Sequence, residues 1–398
     1  MRKPNFNLNL AATFVLALAF SILPAHAQTF KVLHQFNSQN DGAFSEGAIL
    51  KDAAGNLYGT TTLPGTLFKI GPKGRESVLA FLDDSLGGTF PTGILTQDQA
   101  GNIYGVAEGG TGAGVIYKVT PKGEKTLVFQ FPGGLNLDVP ELPAGGVTLD
   151  KAGNIFGAAQ FGSDHQNCKS LGCGSLFKLD TASNLLLLHK FTGGSDGANP
   201  IGPFVQDADG NFYGVAQAGG DLACIEHFLF AHAGCGVVFK LDKNNELTIL
   251  HTFAGGADGA VPQAGLLMDA AGNLFGTTLK GGRSERGTVF KIAKDGSYKV
   301  LHRFIEIEGH NPNGGLAADP AGNLFGTTQL GGTQNLGTAF QLGPDGKLKV
   351  LHQFQGFEDG SHPLAGPFRD SAGHLYGTTV TNGLIQLVQG GNVFEITP

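Results

Sequence analysis

The sequence predicts an all-β fold, a seven-bladed β-propeller of four-stranded blades, and three observations support this. A turn motif, Gly-Asn-apolar-aromatic-Gly, recurs seven times at intervals of 46 to 62 residues, which is a period typical of propeller repeats. The apolar runs around it are about five residues long, which is strand length. The chain also begins and ends within a repeat. The motif begins at Gly55, Gly101, Gly153, Gly210, Gly272, Gly322 and Gly373, the last with His374 in place of Asn.

Residues 265–304 show one complete repeat, with four apolar runs separated by turns. The first run ends in Asp269 and the second follows Asn273; Asp, Gly and Asn favour tight turns. The third run, residues 288–292, and the fourth, residues 299–304, alternate apolar and polar side chains as strands do. Four such strands in succession indicate one propeller blade.

The two ends of the chain predict how the ring closes. Residues 30–36 read as a fourth strand without the first three, and residues 393–397 read as a third strand without a fourth. Pairing of the N-terminal strand with the C-terminal blade would complete seven blades and leave no open sheet edge. We therefore expect a single propeller domain over residues 28–398, with twenty-eight strands.

The N-terminus has the features of a secretory signal peptide. Arg2 and Lys3 precede the apolar run 10–23, which ends at the small-residue site Ala25-His-Ala27. We expect cleavage after Ala27, so that residues 1–27 are the signal peptide. A membrane anchor is the alternative, but the apolar run is shorter than the roughly 20 residues of a span. The expected location is secreted, periplasmic or cell-surface, with no membrane span.

Composition and charge exclude some classes of partner. The chain has 64 glycines and 15% charged residues, and its net charge changes from −7 to −9 when Arg2 and Lys3 are removed. An acidic chain without a basic run is not expected to bind nucleic acid. Trp is absent and Phe is abundant, so Phe is expected to fill the space between blades. We expect a monomer.

The four cysteines form two local pairs, Cys168 with Cys173 and Cys224 with Cys235. Four cysteines allow three connectivities, and in an exported protein the local disulfides are favoured. The alternative is a metal site of these thiols with His227 and His232, but the spacings match no standard zinc pattern.

Two residue types recur in ways that resemble catalytic sites. An aspartate precedes each turn motif, and we interpret it as a turn cap because seven rotated copies cannot converge on one substrate. A histidine precedes the end of five fourth strands, and Ala80 and Phe129 replace it in the other two. We interpret these histidines as packing or interblade hydrogen-bonding residues. The aspartates are Asp52, Asp98, Asp150, Asp207, Asp269, Asp319 and Asp370; the histidines are His34, His189, His251, His302 and His352.

The repeat resembles the GloVer-type tandem repeat of bacterial secreted proteins. Asn273-Leu-Phe-Gly-Thr-Thr, a following Gly-Gly and Gly287-Thr-Val-Phe-Lys carry the resemblance, which covers residues 30–398. It implies a surface or secreted repeat protein and no particular reaction. More distantly, the Asp-x-x-Gly-Asn-Leu-Tyr turn is similar to that of NHL and gluconolactonase-like propellers.

The binding face is predicted on the loops between strands two and three and between blades, because long variable loops on a rigid scaffold usually carry binding. These loops are longest in units three and four, at residues 160–174 and 217–236. The candidate ligand-binding residues are Asp164, His165, Glu226, His227, His232, His310 and His362. We assign no catalytic residue, metal or cofactor. The segments around Asp196 and Asp258 could bind calcium, but a turn role is favoured.

The sequence favours a binding scaffold for an unknown protein or glycan ligand. The alternative is a metal-dependent lactonase or hydrolase of the gluconolactonase-like kind, whose ligands would lie at the channel mouth. The position six residues before each turn aspartate is expected there: Glu46, Thr92, Ala144, Ile201, Gln263, Asn313 and Leu364. One acid with two amides is a poor site for a divalent cation. A lyase or glycosidase would need paired carboxylates, for which Asp164 and Glu226 are the candidates.

Overall fold

The computed structural model describes residues 28–37, 41–82, 90–109, 113–132, 140–163, 168, 171–224, 233–381 and 390–397. The predicted signal peptide, residues 1–27, lies outside this part of the chain. Within it, none of the helices has the length and apolar character needed to cross a membrane.

The described residues form twenty-nine strands and two short 3₁₀ helices, Gly256–Asp258 and Glu306–Glu308. The first strand, β1, is Thr29–Gln35. Units one to three contain β2 (Leu50–Lys51), β3 (Leu57–Thr61), β4 (Thr66–Ile70), β5 (Glu76–Phe81), β6 (Phe90–Gln97), β7 (Ile103–Glu108), β8 (Val115–Val119), β9 (Lys125–Gln130), β10 (Pro140–Leu149), β11 (Ile155–Gly162), β12 (Ser175–Leu179) and β13 (Leu185–Lys190). Units four to seven contain β14 (Ala198–Gln206), β15 (Phe212–Ala218), β16 (Val237–Leu241), β17 (Leu247–Thr252), β18 (Ala260–Pro262), β19 (Leu267–Met268), β20 (Leu274–Lys280), β21 (Thr288–Ile292), β22 (Tyr298–Arg303), β23 (Ala317–Ala318), β24 (Leu324–Thr328), β25 (Thr338–Leu342), β26 (Leu348–Gln353), β27 (Phe368–Arg369), β28 (Leu375–Thr378) and β29 (Asn392–Thr397).

The fold is an all-β propeller, as the sequence predicts. The strands form six sheets: β2–β5, β14–β17, β18–β22 and β23–β26, an eight-stranded sheet of β6–β13, and a sheet in the order β1-β29-β28-β27. The first strand of unit five is divided into β18 and β19, which both pair with β20, so one more strand is present than the twenty-eight expected.

The N-terminal strand closes the ring, as the sequence predicts. β1 pairs antiparallel with β29, and Phe30 lies opposite Ile396. The seventh unit also contacts the first directly, since the Thr378 hydroxyl donates to the Gly47 carbonyl over 2.9 Å. The Lys51 ammonium donates to the Asp370 carboxylate over 2.7 Å. The two ends of the chain therefore belong to one sheet.

The repeated motif is explained by two local contacts. The turn aspartate accepts a hydrogen bond from the backbone N–H four residues later, as Asp52 does from Asn56 over 2.8 Å, and the same bond is present in all seven units. The final glycine of the motif lies beneath the aromatic ring of the third strand. A Cβ added to Gly59 would be 2.4 Å from Phe68 Cζ. The turn interpretation of the seven aspartates is thus confirmed.

The core lies between neighbouring sheets and is built largely of Phe. Six of the seven outer strands end in a Phe that packs on the third-strand ring of the next unit, as Phe36 does on Phe68 with centroids 5.0 Å apart. Equivalent pairs have centroids 5.1 to 5.6 Å apart. Phe36 is 1% exposed and Phe68 is completely buried. The expectation that Phe fills the space between units is confirmed.

Candidate functional site

The loop candidates are only partly within the described residues. Asp164, His165, Glu226, His227 and His232 lie outside them. His310 and His362 lie inside, in the connections that enter units six and seven. The predicted pairing of Asp164 with Glu226 likewise falls outside the described residues.

His362 occupies a repeated structural position. Its φ is 55°, it precedes Pro363, and its backbone N–H donates to the Leu336 carbonyl of the preceding unit over 2.8 Å. Val261 has the same conformation before Pro262 and donates to the Cys235 carbonyl in the same way. The backbone at this position therefore joins successive units whatever side chain it carries. The conformation also recurs at Leu142, Asn199 and Asn311.

His310 is held by the amides around it. Its Nε2 lies 3.2 Å from Asn335 Oδ1, and its Nδ1 lies 3.3 Å from Asn311 Oδ1. Its backbone N–H donates to the Leu330 carbonyl over 2.8 Å. Neither His310 nor His362 lines the central cavity described below.

Both predicted disulfides are present. Cys168 is bonded to Cys173 and Cys224 to Cys235, with Cα atoms 5.1 and 5.7 Å apart. Because all four thiols are bonded, the alternative metal site made of cysteine and histidine is excluded.

The repeated histidines pack between units, as the sequence predicts. The Nε2–H of each donates to a carboxylate in the following connection, as His251 does to Asp258 over 3.1 Å. The His251 ring stacks on Tyr298 of the next unit with centroids 3.5 Å apart. Asp258 also accepts from the Ala254 backbone N–H, which supports the predicted turn role over a calcium site. The other pairs are His34–Asp41, His189–Asp196, His302–Glu308 and His352–Asp359.

A cavity of about 250 Å³ is lined by residues from all seven sequence repeats. Its lining includes every residue of the predicted channel-mouth position: Glu46, Thr92, Ala144, Ile201, Gln263, Asn313 and Leu364. Two further polar residues line it, Glu108 and Gln160. The seven residues expected at the channel mouth thus line one cavity, and these two residues extend its polar lining.

Glycine backbone allows the units to approach closely at this cavity. A Cβ added to Gly145, whose φ is +77°, would be 1.9 Å from the Gly202 carbonyl oxygen. A Cβ added to Gly366 would be 1.8 Å from the Gly315 carbonyl oxygen. Any other residue at these positions would push neighbouring inner strands apart, so glycine is required by this packing.

The cavity contains two carboxyl groups with raised pKa values. Burial raises the pKa of Glu46, and the negative charge of Glu108 raises it further. Burial also raises the pKa of Glu108. The described lining contains no Lys, Arg or His that could neutralise either carboxylate. Both groups therefore favour their protonated form more than a solvated glutamate does.

Neutral polar groups complete the lining. The Thr92 hydroxyl oxygen is buried and has no hydrogen-bond partner among the described residues. The Gln160 amide donates to the Gln217 side-chain oxygen over 2.9 Å, which orients Gln160 from the adjacent unit. Gln263 and Asn313 contribute further amides. The arrangement can accept hydrogen bonds from, and stabilise a positive charge on, a small ligand.

Sequence reasoning missed Glu108 and Gln160 as cavity residues. Both stand seven residues after the first glycine of their turn motif, Gly101 and Gly153; Glu108 ends its second strand, and Gln160 lies two residues before the end of its own. The corresponding residue in unit four is Gln217. Units one and six also carry polar residues there, Thr62 and Gln329, so this position is polar in five of the seven repeats. Comparison of this position between units would have indicated it as a candidate site position.

Comparisons with known proteins agree with the fold. The family model described as the Gloeobacter/Verrucomicrobia repeat matches residues 230–398, which confirms the resemblance there. No curated protein matches the chain by sequence. Virginiamycin B lyase from Staphylococcus aureus is similar in structure, with a TM-score of 0.61 and 11% identity over 93% of this chain and 100% of that chain.

Two other solved structures resemble the chain. The extracellular domain of a one-component system from B. thetaiotaomicron has a TM-score of 0.57 and 12% identity, over 92% of this chain and 39% of that chain. A gluconolactonase from Xanthomonas campestris has a TM-score of 0.45 and 14% identity, over 93% of this chain and 89% of that chain. At these identities, the similarity of the lyase and of the extracellular domain to this chain shows the propeller fold alone.

Proposed function

We propose that this chain is an exported, monomeric propeller of seven four-stranded blades that binds a ligand carrying a protonated amine at its central cavity. The seven-blade count rests on the eight-stranded sheet, in which β6–β9 and β10–β13 are separate meanders. They touch through one parallel bridge between Gly146 and Ile94, which we regard as a contact between two blades. Residues 28–398 are then one domain.

Export is supported by the disulfides and the N-terminal sequence. Disulfides persist mainly in oxidising compartments. The Cys168–Cys173 and Cys224–Cys235 bonds agree with a signal peptide over residues 1–27, and the proposed location is secreted, periplasmic or cell-surface. The protein therefore meets its ligand outside the cytoplasm.

The observation that carries the binding proposal is the uncompensated polar lining of the central cavity. Two carboxyl groups of raised pKa, Glu46 and Glu108, share it with the Thr92 hydroxyl, which has no partner in the described part of the chain, and no basic residue is in its described lining. Buried polar groups without partners destabilise a protein, so they are commonly retained where a ligand completes them. A binding role explains this lining without requiring any reaction.

A protonated amine is the ligand group that best complements this cavity. It would neutralise the carboxylates, relieve the repulsion between Glu46 and Glu108, and donate hydrogen bonds that carboxylate, hydroxyl and amide oxygens accept. An anion would meet two like charges and is disfavoured. The cavity, about 250 Å³, accommodates one amino sugar or one lysine side chain, so a glycan or a protein can supply the amine.

Two matched pairs of probes test the proposal by calorimetric titration at pH 7. Glucosamine is compared with glucose, and Nα-acetyl-lysine with the Nα,Nε-diacetyl form, because each pair differs mainly in the amine charge. We expect the charged member of at least one pair to bind and its neutral partner to bind at least about tenfold more weakly, which corresponds to about 1.4 kcal/mol. Equal binding of both members, or no binding by any probe, refutes the proposed ligand class.

Variants of the two acids test the cavity itself. With raised folded pKa values, Glu46 and Glu108 stabilise the fold only below the unfolded pKa of about 4.3, and this contribution is lost as the pH rises through the folded values. Glu46→Gln and Glu108→Gln should therefore be more stable than wild type at pH 8 and lose this advantage near pH 4. Glu124→Gln, at an exposed position, is the matched control. Variants that fall below wild type at pH 8 contradict the electrostatic assignment.

A metal-dependent hydrolase remains the second candidate, and Glu108 is the observation that favours it. A second carboxylate joins Glu46, and side-chain oxygens of Gln160, Gln263 and Asn313 lie in the same lining. Calcium prefers six to eight oxygen ligands of this kind. Titration of the chelator-treated protein with Ca²⁺ tests it: saturable binding that Glu108→Gln abolishes supports the hydrolase over the amine-binding scaffold.

A further inference from the structure

Outer strands of successive units pack by one repeated scheme. The residue four positions before the histidine, at or near the start of each outer strand, lies against the preceding unit. In five units it is apolar or aromatic and packs in the cluster around the Phe that ends the preceding outer strand. These residues are Phe30, Leu185, Leu247, Tyr298 and Leu348. The Phe30 ring stacks on His352 with centroids 3.7 Å apart. Apolar contact is thus the rule at this position.

The contact between units seven and one, where the ring closes and which we call the seam, lacks this apolar residue. Unit one carries Glu76 at this position, at the start of β5. The Glu76 side chain faces His34 and Asp41, which lie at the end of unit seven. Nitrogen or oxygen atoms of these three side chains all lie within 4.8 Å of one another. Unit two carries Lys125, whose ammonium donates to the Phe81 carbonyl over 3.1 Å. Among the described residues, the seam alone brings a second carboxylate to a His–Asp pair.

The Glu76 carboxylate has one oxygen that is unsatisfied within the described part of the chain. Its Oε1 is buried and has no hydrogen-bond partner among the described residues. Burial raises its pKa; the His34 ring opposes this rise, and the Asp41 charge adds to it. Asp41 is only 6% exposed. Two carboxylates and one imidazole therefore share a partly dry pocket, where five of the other units place a hydrocarbon or an aromatic ring.

We propose that His34, Asp41 and Glu76 form a binding site for a divalent transition metal ion, with Zn²⁺ as the representative ion. Zn²⁺ would replace the proton that His34 Nε2 now donates to the Asp41 carboxylate, and that proton would pass to solvent. The ion would be bound by one imidazole nitrogen and two carboxylate oxygens, with water completing a tetrahedron. This site is separate from the central cavity and does not depend on the function proposed for it.

The geometry agrees with the size of this ion. Zn²⁺ binds nitrogen and oxygen at about 2.0–2.2 Å, so neighbouring ligand atoms of a tetrahedral site are about 3.4 Å apart. His34 Nε2 and Asp41 Oδ2 are 2.9 Å apart, close to this value. The other Asp41 oxygen accepts from the Asn37 backbone N–H over 2.9 Å, which fixes the carboxylate as outer hydrogen bonds do in metal sites.

The site would also link the two ends of the ring. His34 belongs to β1 of the seventh unit, Asp41 to the connection that follows it, and Glu76 to β5 of the first unit. An ion bound by all three would join the outer strands at the seam. Bound Zn²⁺ should therefore raise the unfolding temperature, because it binds the closed ring in preference to the unfolded chain.

The test is a titration of tag-free, chelator-treated protein with ZnCl₂ by calorimetry, with thermal unfolding followed in parallel. We expect one ion per chain and a rise in the unfolding temperature for wild type. Glu76→Leu, which installs the residue found at Leu185, Leu247 and Leu348, should weaken binding at least about tenfold. It should remain folded without metal, since it restores the apolar contact of the other units.

Asp196→Asn is the matched control. It alters the His189–Asp196 pair of unit three, which has Leu247 rather than a carboxylate opposite, and it should leave Zn²⁺ binding unchanged. Wild-type protein that binds no Zn²⁺ overturns the proposal whatever the variants do. Binding that Glu76→Leu leaves intact, or that Asp196→Asn weakens equally, overturns it as well, because the ion would then be held elsewhere.

Discussion

Phe36 provides the sharpest test of ring closure. It follows β1 and is 1% exposed, and its ring packs on Phe68 of unit one with centroids 5.0 Å apart. Its backbone N–H donates to the Gly391 carbonyl over 3.0 Å. The residue thus connects the outer strand of the last sheet to the first unit. Replacing Phe36 with Ala removes the side-chain contact across the seam and leaves the backbone bond.

The expected loss follows from burial. Truncation of a fully buried Phe to Ala costs about 3–5 kcal/mol, including the cavity that remains. About 370 folded residues at about 2.1 cal/mol/K each give an unfolding entropy near 0.8 kcal/mol/K, so the midpoint should fall by about 4–6 °C. This conversion assumes a single cooperative transition, which calorimetry can verify.

Two other Phe substitutions complete the experiment. Phe354 is also 1% exposed and packs on Phe394 with centroids 5.3 Å apart, so Phe354→Ala should cost as much at an interior seam. Phe357 is 66% exposed, and Phe357→Ala should change stability by less than about 0.5 kcal/mol. If Phe36→Ala behaves like Phe357→Ala, the N-terminal strand does not close the ring in solution.

Two further predictions concern the glycines at the central cavity and the disulfides. Gly145→Ala should lower the free energy of unfolding by about 1–3 kcal/mol more than Gly74→Ala, as measured by chemical denaturation. Both glycines have φ +77°, but only at Gly145 would the added Cβ meet the backbone of another unit. Equal losses would show that the backbone around the central cavity can shift to accept the Cβ. Replacing Cys224 and Cys235 together with Ala should cost about 3 kcal/mol for an 11-residue separation. Peptide mapping of wild type without reductant should recover this pair linked, and free thiols there would contradict the assignment.

Much of the fold could be predicted from residues close together in the chain. Asp52 and Asn56 form their turn within five residues, and the same backbone bond recurs in all seven units, so the turn could be recognised as a motif. Alternation along β21 placed Phe290 on the buried face. The mismatched chain ends predicted the pairing of β1 with β29.

The candidate site could be predicted only in part. Counting back from the turn aspartates located Glu46 at the cavity, because the repeat fixes its position along the inner strand. Glu108 was not found, since it comes from the end of a second strand and meets Glu46 only when unit one lies beside unit two. The long loops predicted to carry the site stay predictions, and their charged candidates lie outside the described residues.

The sequence by itself determined the repeat, its turns and its strands, because each depends on hydrogen bonds and side-chain alternation within a few residues. The partial repeats at its two ends also predicted the pairing of β1 with β29. Only the tertiary structure decided which polar groups meet. Glu46 of unit one meets Glu108 of unit two at the central cavity, and Glu76 faces His34 and Asp41 across the seam. Such encounters join residues that are distant in the chain, and the electrostatic energy of each depends on burial and separation, which no local pattern encodes.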